Sequence, residues 1–235
     1  MLRPEEVERL VESIPGWLGP REGRLLYELA ADADPAGRIV EIGSWHGRST
    51  IWLAAGAAAG RGARVLAVDP HRGTSLRQEG EDTEPLLRAN LEHAAVAGGV
   101  DVRVATSAEA AADFDGQVSF LWIDGDHSYA AARQDVEVWE PHLLPAASVA
   151  LHDTFVLPGP ERVVRDCLVR SGRYTDFRYA DTTTAARLAD GLSAGGRVER
   201  RLALLRRSLY GVRLRAYDDN VLGYARLRDL LGRSA

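Results

Sequence analysis

The chain has 235 residues, of which 46% are hydrophobic and 27% are charged, and its formal net charge at pH 7 is −5. This composition predicts a globular protein and excludes a low-complexity or disordered chain. The longest apolar stretch, residues 51–59, is too short to span a bilayer, and the first residues have no apolar signal core. We therefore predict a cytoplasmic protein without a membrane or nucleic-acid partner.

The residue types present also restrict the chemistry. The single cysteine, Cys167, excludes an internal disulfide and a cysteine-rich metal site. All 29 basic residues are arginine, so proton transfer falls to His, Asp, Glu, Tyr or water. Residues 196–235 carry ten arginines against four acidic residues. This segment either packs on the acidic remainder of the chain or meets an anionic partner, and we favour the packing interpretation.

Short apolar runs alternate with helical segments from residue 38 onward, which predicts βαβ units and a parallel sheet. The last two strands have almost no connection between them. We expect that pair to be antiparallel, because a parallel crossover needs a dozen or more residues. The predicted strands are 38–42, 64–69, 100–105, 118–123, 148–151, 177–180 and 182–188. The predicted helices are 4–13, 20–31, 49–59, 84–97, 129–141, 160–171, 197–209 and 220–231.

We interpret residues 1–235 as a single domain without repeats or linkers. It comprises N-terminal helices in residues 1–32, a core in residues 38–189 and a C-terminal helical extension in residues 196–235. The two helices of the extension are predicted to be separated at Tyr210 and Gly211. The apolar stripe of Leu202, Leu205 and Leu209 suggests a homo-oligomer formed through the terminal helices.

The loop after the first strand, EIGSWHGRST at residues 41–50, has the features of a ligand cradle. Gly43 permits a tight turn and a close approach to a ligand. Gly47 and Ser49 stand at a helix N-terminus, whose free N–H groups suit a carboxylate or phosphate. The loop departs from the dinucleotide fingerprint and lacks the lysine of a P-loop. Because Asp69 ends the second strand and can accept both hydroxyls of a ribose, we predict a nucleoside-type cofactor.

Two buried strands run into carboxylate and imidazole groups. The first is followed by Asp124 and His127, and the second by His152 and Asp153. Open α/β sheets bind ligands at the carboxyl ends of their strands, so Asp124 and Asp153 are expected on one rim. Two carboxylates suit Mg²⁺ or a related divalent cation, which lowers the pKa of a coordinated hydroxyl. Asp126 is interpreted as a capping residue rather than a metal ligand.

The residues that follow these strands leave two roles open. His127 either accepts the hydroxyl proton or caps the next helix. His152 is a metal ligand, a supporting residue or neither.

The pattern Glu41-x-Gly43-x-x-x-Gly47-x-Ser49, followed by Asp69, Asp124 and Asp153, resembles the S-adenosylmethionine-dependent methyltransferases of the Rossmann-like class. More narrowly, IDGDHSY at residues 123–129 is similar to metal-dependent O-methyltransferases of the catechol type and of the sugar or antibiotic-tailoring type. The resemblance covers roughly residues 39–188. It implies an α/β Rossmann-like fold with a mostly parallel seven-stranded sheet, an antiparallel terminal hairpin and helices on both faces.

The resemblance also implies cofactors and site residues. S-adenosylmethionine and Mg²⁺, or another divalent cation, are the implied cofactors, and a small-molecule hydroxyl is the acceptor. Ser49 would help to hold the methionine carboxylate, Asp69 the ribose hydroxyls, and Ser107 would lie near the adenine. The implied cofactor residues are Glu41, Gly43, Trp45, Ser49, Asp69, Ser107 and Asp124. The implied metal ligands are Asp124, Asp153 and His152, and the implied base is His127.

The acceptor remains open between two classes. Catechol-type relatives commonly have lysine where this chain has His127, which favours a sugar or glycoside acceptor in secondary metabolism. A phenolic acceptor, a non-methylating tailoring enzyme and a non-enzymatic cofactor-binding protein are the alternatives. Intact Asp124, His127 and Asp153 argue against the last of these. Residues 70–83 form either a binding loop, where Arg72 or Arg77 meets a phosphate, or a solvated loop.

Overall fold

A computed structural model describes residues 1–72, 82–189 and 196–217. Its strands are β1 (Arg38–Ile42), β2 (Val65–Asp69), β3 (Val100–Val104), β4 (Val118–Ile123), β5 (Leu143–Leu151), β6 (Tyr174–Ala180) and β7 (Thr183–Leu188). They form one sheet in the order β3-β2-β1-β4-β5-β7-β6. Neighbouring strands from β3 to β5 are parallel, and β7 is antiparallel to both β5 and β6. The predicted fold class and its terminal hairpin are therefore confirmed.

Helices precede, separate and follow these strands along the described part of the chain. They are α1 (Pro4–Val11), α2 (Pro20–Asp32), α3 (Arg48–Ala59), α4 (Glu84–His93), α5 (Ser107–Ala112), α6 (Tyr129–Trp139), α7 (Pro158–Val163) and α8 (Gly196–Tyr217). Short 3₁₀ turns occupy Ala97–Gly99 and Glu140–His142, and a π-helical turn occupies Val164–Val169. Among the described residues, no helix is both long and apolar enough to cross a membrane.

The sheet carries an apolar core on each face, as predicted. Phe120 and Trp122 of β4 belong to the core that is shared with α1, α2 and α3. The alternate residues Leu121 and Ile123 belong to the opposite core, which includes residues of α5, α6 and α7. This alternation follows from the two-residue period of a strand. The carboxyl ends of the central strands lie between these two packed layers, and we call this C-terminal side of the sheet the carboxyl edge.

Strands β5 and β6 begin earlier than predicted. The sequence Pro145-Ala146 resembles a turn, and Ala146 has a φ of +60°. Strand β5 nevertheless already pairs with β4 at Leu143. A proline is tolerated there because the pairing register shifts past it. In β6, Asp176 has a φ of +51° where the register with β7 shifts, which interrupts the alternating pattern.

Several predicted helices also need correction. Ala95, with a φ of +55°, stands just beyond the end of α4, which is shorter than predicted. The segment predicted as one helix at residues 160–171 is divided between α7 and the π-helical turn. Helix α5 was not predicted, although Thr106 and Glu109 form the capping box that marks its start.

The predicted break at Tyr210 and Gly211 is wrong, because α8 runs through both residues. A glycine inside a helix costs only about 1 kcal/mol relative to alanine, so one glycine does not end a helix. The predicted helix at residues 220–231 lies outside the described residues. The chain divides into two compact units, Met1–Ser193 and Ala194–Ala235. The stripe of Leu202, Leu205 and Leu209 on α8 is exposed, and a homo-oligomer stays a prediction.

Candidate active site

Gly43 brings two of the predicted binding segments into contact. Its φ is +89°, and a Cβ atom at this position would lie 2.3 Å from the carbonyl oxygen of Asp124. The sequence predicts that Gly43 lets the backbone approach a ligand, and the structure shows the Asp124 backbone in the space of its missing side chain. The loop after β1 and the acidic end of β4 therefore form one continuous edge.

Asp69, at the end of β2, fixes both neighbouring loops. Its Oδ2 accepts the N–H of Trp45 at 2.8 Å, and its Oδ1 accepts the N–H of His71 at 2.7 Å. Trp45 and His71 have φ values of +40° and +53°, which non-glycine residues adopt at a cost in free energy. Each carboxylate oxygen has a second lone pair, so Asp69 can still accept hydroxyl groups while it holds the loops.

Glu41 is a buried carboxyl beneath the loop after β1. Its Oε1 accepts the hydroxyl of Ser49 at 2.5 Å, and its Oε2 accepts the hydroxyl of Thr50 at 2.6 Å. Burial raises the pKa of Glu41 to about 8, although the two hydroxyl donors act in the opposite direction. Glu41 thus anchors the start of α3. The Ser49 hydroxyl therefore donates to Glu41, and the contact of Ser49 with the methionine carboxylate stays a prediction.

Trp45 lies in an aromatic stack at the same edge. Its ring centroid is 5.8 Å from that of Trp17 and 3.9 Å from that of His46, with nearly parallel planes in both pairs. The side of the stack formed by Trp17 is exposed. The stack therefore presents an aromatic surface beside the loop in which Trp45 is predicted to contact the cofactor.

Asp124, His127, His152 and Asp153 converge where β4 and β5 end, and we call these four residues the rim cluster. Oδ1 of Asp124 lies 3.1 Å from Nδ1 of His152 and 3.5 Å from Nε2 of His127. Oδ2 of Asp153 lies 3.1 Å from Nε2 of His127 and 3.5 Å from Nδ1 of His152. Each carboxylate thus faces both imidazoles. The predicted convergence of Asp124 and Asp153 at one rim is present in the structure.

The charges of the rim cluster compensate one another. Burial acts to raise the pKa of Asp124 and Asp153, but the two imidazoles outweigh it and hold both pKa values below their usual range. Burial acts to lower the pKa of His127, and the two carboxylates raise it to about 9. The pKa of His152 also lies well above its usual value, because the attraction of the nearby carboxylates exceeds the cost of burial. With both imidazoles protonated, the four side chains carry no net charge.

A divalent cation fits this cluster. Exchange of the two imidazole protons for one divalent ion leaves the net charge at zero. Single donor atoms of Asp124, His127 and His152 lie within 4.8 Å of one another. The contacts of 3.1 to 3.5 Å in the cluster are near the roughly 3 Å that separates neighbouring ligands of an octahedral ion. The buried Nε2 of His127, which faces both carboxylates, has no aligned hydrogen-bond partner among the described residues.

Glu22, on α2, adjoins the rim cluster and was missed in the sequence. Its Oε1 lies 3.3 Å from Nε2 of His152 and accepts hydrogen bonds from Thr182 and Thr183. Its Oε2 accepts the N–H of Gly19 at 2.9 Å. The sequence signal near Glu22 indicates a helix cap, since this acid stands three residues after Gly19. Its contact with His152 depends on the fold and has no local signal.

Two further predictions concern the helices after β3 and β4. The hydroxyl oxygen of Ser107, the first residue of α5, accepts the indole N–H of Trp139 at 3.1 Å, and its contact with adenine stays a prediction. The N-cap of α6 is Ser128, so the interpretation of Asp126 or His127 as the cap is wrong. Asp126 instead accepts the N–H of Ser128 at 2.7 Å, which closes the preceding turn.

One family model matches the part of the chain that contains these residues. Residues 40–154 match a family model described as a methyltransferase domain, which confirms the methyltransferase resemblance. The matched range contains the loop after β1, Asp69 and all four residues of the rim cluster.

Solved structures of three O-methyltransferases have a similar fold. TomG from Streptomyces achromogenes, involved in tomaymycin synthesis and in complex with S-adenosylmethionine, has 20% identity and a TM-score of 0.58, covering 79% of this chain and 89% of that chain. NovP has 15% identity and a TM-score of 0.65, covering 80% and 88%. An enzyme from Bacillus cereus in complex with S-adenosylhomocysteine has 20% identity and a TM-score of 0.56, covering 78% and 90%. These likenesses show the shared fold.

We predict that Glu41 makes stability fall as pH rises. Its folded pKa of about 8 exceeds its ordinary value of 4.5, so the folded state binds the extra proton between these values. The contribution of the protonated carboxyl is fully present below about pH 4.5 and is lost toward pH 8, with a slope of at most about 1.4 kcal/mol per pH unit. Glu41→Gln removes this slope. Urea unfolding at pH 5, 6.5 and 8 measures the difference between the wild type and the variant.

The control for this prediction is Glu92→Gln, which changes an exposed carboxyl on α4. Its difference from the wild type is expected to stay constant across the three pH values. A constant difference for Glu41→Gln as well would contradict the buried, protonated carboxyl.

Proposed function

We propose that this S-adenosylmethionine-dependent O-methyltransferase methylates a hydroxyl group of a small natural product with the help of a divalent cation. The observation that carries the proposal is the contact between Gly43 and Asp124, which joins the cofactor loop to the rim cluster at one edge. A methyl donor in that loop and a hydroxyl group at the cluster would therefore be neighbours. Such positioning is the main source of acceleration for a single displacement.

The cofactor residues have distinct tasks under this proposal. The N-terminus of α3, where the Ser49 N–H points, would hold the methionine carboxylate. Asp69 would accept the ribose hydroxyls with the lone pairs that Trp45 and His71 leave free. Trp45, supported by the stacked ring of Trp17, would form the wall beside the methionine part. Ser107, after β3, would border the adenine.

The rim cluster would serve the acceptor. When bound, a divalent cation lowers the pKa of a coordinated hydroxyl and fixes its position. Asp124, Asp153 and His152 would hold that ion through oxygen and nitrogen donors. His127, whose Nε2 lies 3.1 Å from Asp153, would accept the hydroxyl proton. A cation that engages the two carboxylates also removes the charges that keep His127 protonated.

The proposed acceptor is a hydroxyl of a sugar or glycoside. One observation supports a sugar acceptor, because a histidine stands at position 127, as in the sugar-modifying group that the sequence resembles. TomG, which has a similar fold and is involved in tomaymycin synthesis, supports only the broader class of natural-product enzymes. The aromatic surface of Trp17 and Trp45 would also accept a phenolic ring, so a catechol acceptor is the second candidate.

We expect Asp69→Asn to weaken binding of S-adenosylhomocysteine by about tenfold or more. Hydrogen bonds to a charged group contribute roughly 1.5–3 kcal/mol, and the amide lacks that charge. Isothermal titration calorimetry measures the affinity, and thermal unfolding verifies that the variant is folded. Asp115→Asn, at an exposed position, is the matched control and should bind like the wild type. Equal affinity for Asp69→Asn would reject its assignment to the ribose.

Removal of divalent ions is expected to abolish methyl transfer while cofactor binding persists. The assay follows formation of S-adenosylhomocysteine with a hydroxylated glycoside or a catechol as acceptor, before and after treatment with EDTA. Addition of Mg²⁺, Mn²⁺ or Co²⁺ in excess should restore turnover. Turnover that survives dialysis against EDTA would reject the role of the cation, and the preferred acceptor decides between the two substrate classes.

His127→Ala should retain the affinity for S-adenosylhomocysteine within about twofold and lower turnover by roughly 10²- to 10⁴-fold, the usual contribution of a general base. Turnover is measured with the better acceptor of the previous assay, at saturating cation. His93→Ala, an exposed histidine at the end of α4, is the control and should turn over normally. Unchanged turnover in His127→Ala would reject the base.

A further inference from the structure

His152 lies between carboxylates on both sides of its ring. Its Nδ1 is 3.1 Å from Oδ1 of Asp124 and 3.5 Å from Oδ2 of Asp153, and its Nε2 is 3.3 Å from Oε1 of Glu22. Only 4% of His152 and 1% of Glu22 are exposed to solvent. Water therefore has little access to either nitrogen, and the surrounding side chains determine which nitrogen carries the proton.

The environment of Glu22 makes its carboxylate an acceptor. Oε1 accepts the N–H of Thr182 at 3.0 Å, its hydroxyl at 2.7 Å and the hydroxyl of Thr183 at 3.0 Å. Oε2 accepts the N–H of Gly19. Four donors from Gly19, Thr182 and Thr183, at the start of α2 and of β7, thus hold the carboxylate of Glu22 beside the ring. Without an ion, both nitrogens of His152 carry protons, because carboxylates face each of them. When an ion engages Asp124 and Asp153, the carboxylate of Glu22 still faces Nε2, so the proton that leaves is the one on Nδ1, whose lone pair becomes free.

That lone pair faces the centre of the rim cluster. Histidines that bind metal ions almost always donate their second N–H to a carboxylate or carbonyl, which fixes the ring and increases the basicity of the ligating nitrogen. Glu22 has the position of such a supporting carboxylate. Nε2 of His152 is buried and lies 3.3 Å from Oε1 of Glu22 without the alignment of a hydrogen bond, and a turn of the ring on ion binding would align the two groups.

We propose that Glu22 positions His152 as a nitrogen ligand, and that the resulting mixed site prefers a borderline ion such as Co²⁺ or Zn²⁺ over Mg²⁺. This inference rests on the proposed function, because it concerns the ion that the rim cluster would hold there. Mg²⁺ strongly prefers oxygen ligands, whereas imidazole suits zinc and its neighbours among the transition metals. An imidazole ligand held by a carboxylate therefore shifts the preference away from Mg²⁺.

The test measures ion binding directly, without cofactor or acceptor. Metal-free protein is titrated with CoCl₂ and with MgCl₂ by isothermal titration calorimetry, and the visible spectrum of bound Co²⁺ reports its ligands. Glu22→Gln is expected to weaken Co²⁺ binding by about 10-fold or more, as for other supporting residues. His152→Asp is expected to lower the ratio of Co²⁺ to Mg²⁺ affinity by a similar factor and to change the Co²⁺ spectrum.

The matched control is Glu28→Gln, which removes the same charge from an exposed position on the same helix. It should leave both affinities within about twofold of the wild type. If Glu22→Gln does not fold, Glu22→Asp withdraws the carboxylate by one methylene group and is expected to weaken Co²⁺ binding in the same way. A purely structural role of Glu22 would lower the melting temperature and leave the Co²⁺ affinity and spectrum of the folded protein unchanged.

The outcomes separate this inference from the proposed function. Co²⁺ binding that Glu22→Gln leaves unchanged, or a Co²⁺ to Mg²⁺ ratio that His152→Asp leaves unchanged, overturns the inference alone. A wild-type protein that binds neither ion overturns both the inference and the cation in the proposed function. Methyl transfer that survives EDTA while Co²⁺ binds at His152 rejects the cation's part in the reaction and supports the site.

Discussion

The compensation of two buried carboxylates governs the carboxyl edge of this sheet. Asp124 and Asp153 end adjacent parallel strands, and each would be costly to bury as an unpaired charge. Imidazoles from the same two chain segments supply the opposite charge, and each makes its shorter contact with the carboxylate of the other segment, so the pairing of β4 with β5 brings the partners together. Because protons on His127 and His152 and a divalent ion balance the cluster equally well, the site can change its content without a change in net charge.

Short contacts also connect the predicted cofactor segments to one another at this carboxyl edge. Gly43 admits the carbonyl of Asp124, and Asp69 ties the loops that contain Trp45 and His71. Glu41 secures the first turn of α3 from below. The parts assigned to cofactor and acceptor are thus linked by short contacts. A displacement of the loop after β1 would therefore also move the backbone of Asp124 in the rim cluster.

Much of this arrangement could be predicted, because it follows from local sequence patterns. The alternation of strands and helices predicted the parallel sheet, and the short link before β7 predicted the hairpin. The polar residues at strand ends indicated that Asp124 and Asp153 lie at one rim. The errors arose where a residue that usually ends a strand or helix lies inside one, as Pro145 does in β5 and Gly211 does in α8. Glu22 escaped prediction for another reason. Its partners lie 160 residues away, and near it the chain shows only a capping signal.

The span of the Glu22 contacts has a consequence for synthesis of the protein. Glu22 leaves the ribosome long before Thr182 and Thr183, the donors to its carboxylate, which are made only when nearly the whole sheet has been translated. Until then the Glu22 carboxylate on α2 lacks its hydrogen-bond donors from Thr182 and Thr183, because contacts of such high sequence separation form late. The apolar side of α2 can therefore pack on α3 before its buried carboxylate has all of its donors. Completion of the hairpin would then supply the remaining donors to Glu22.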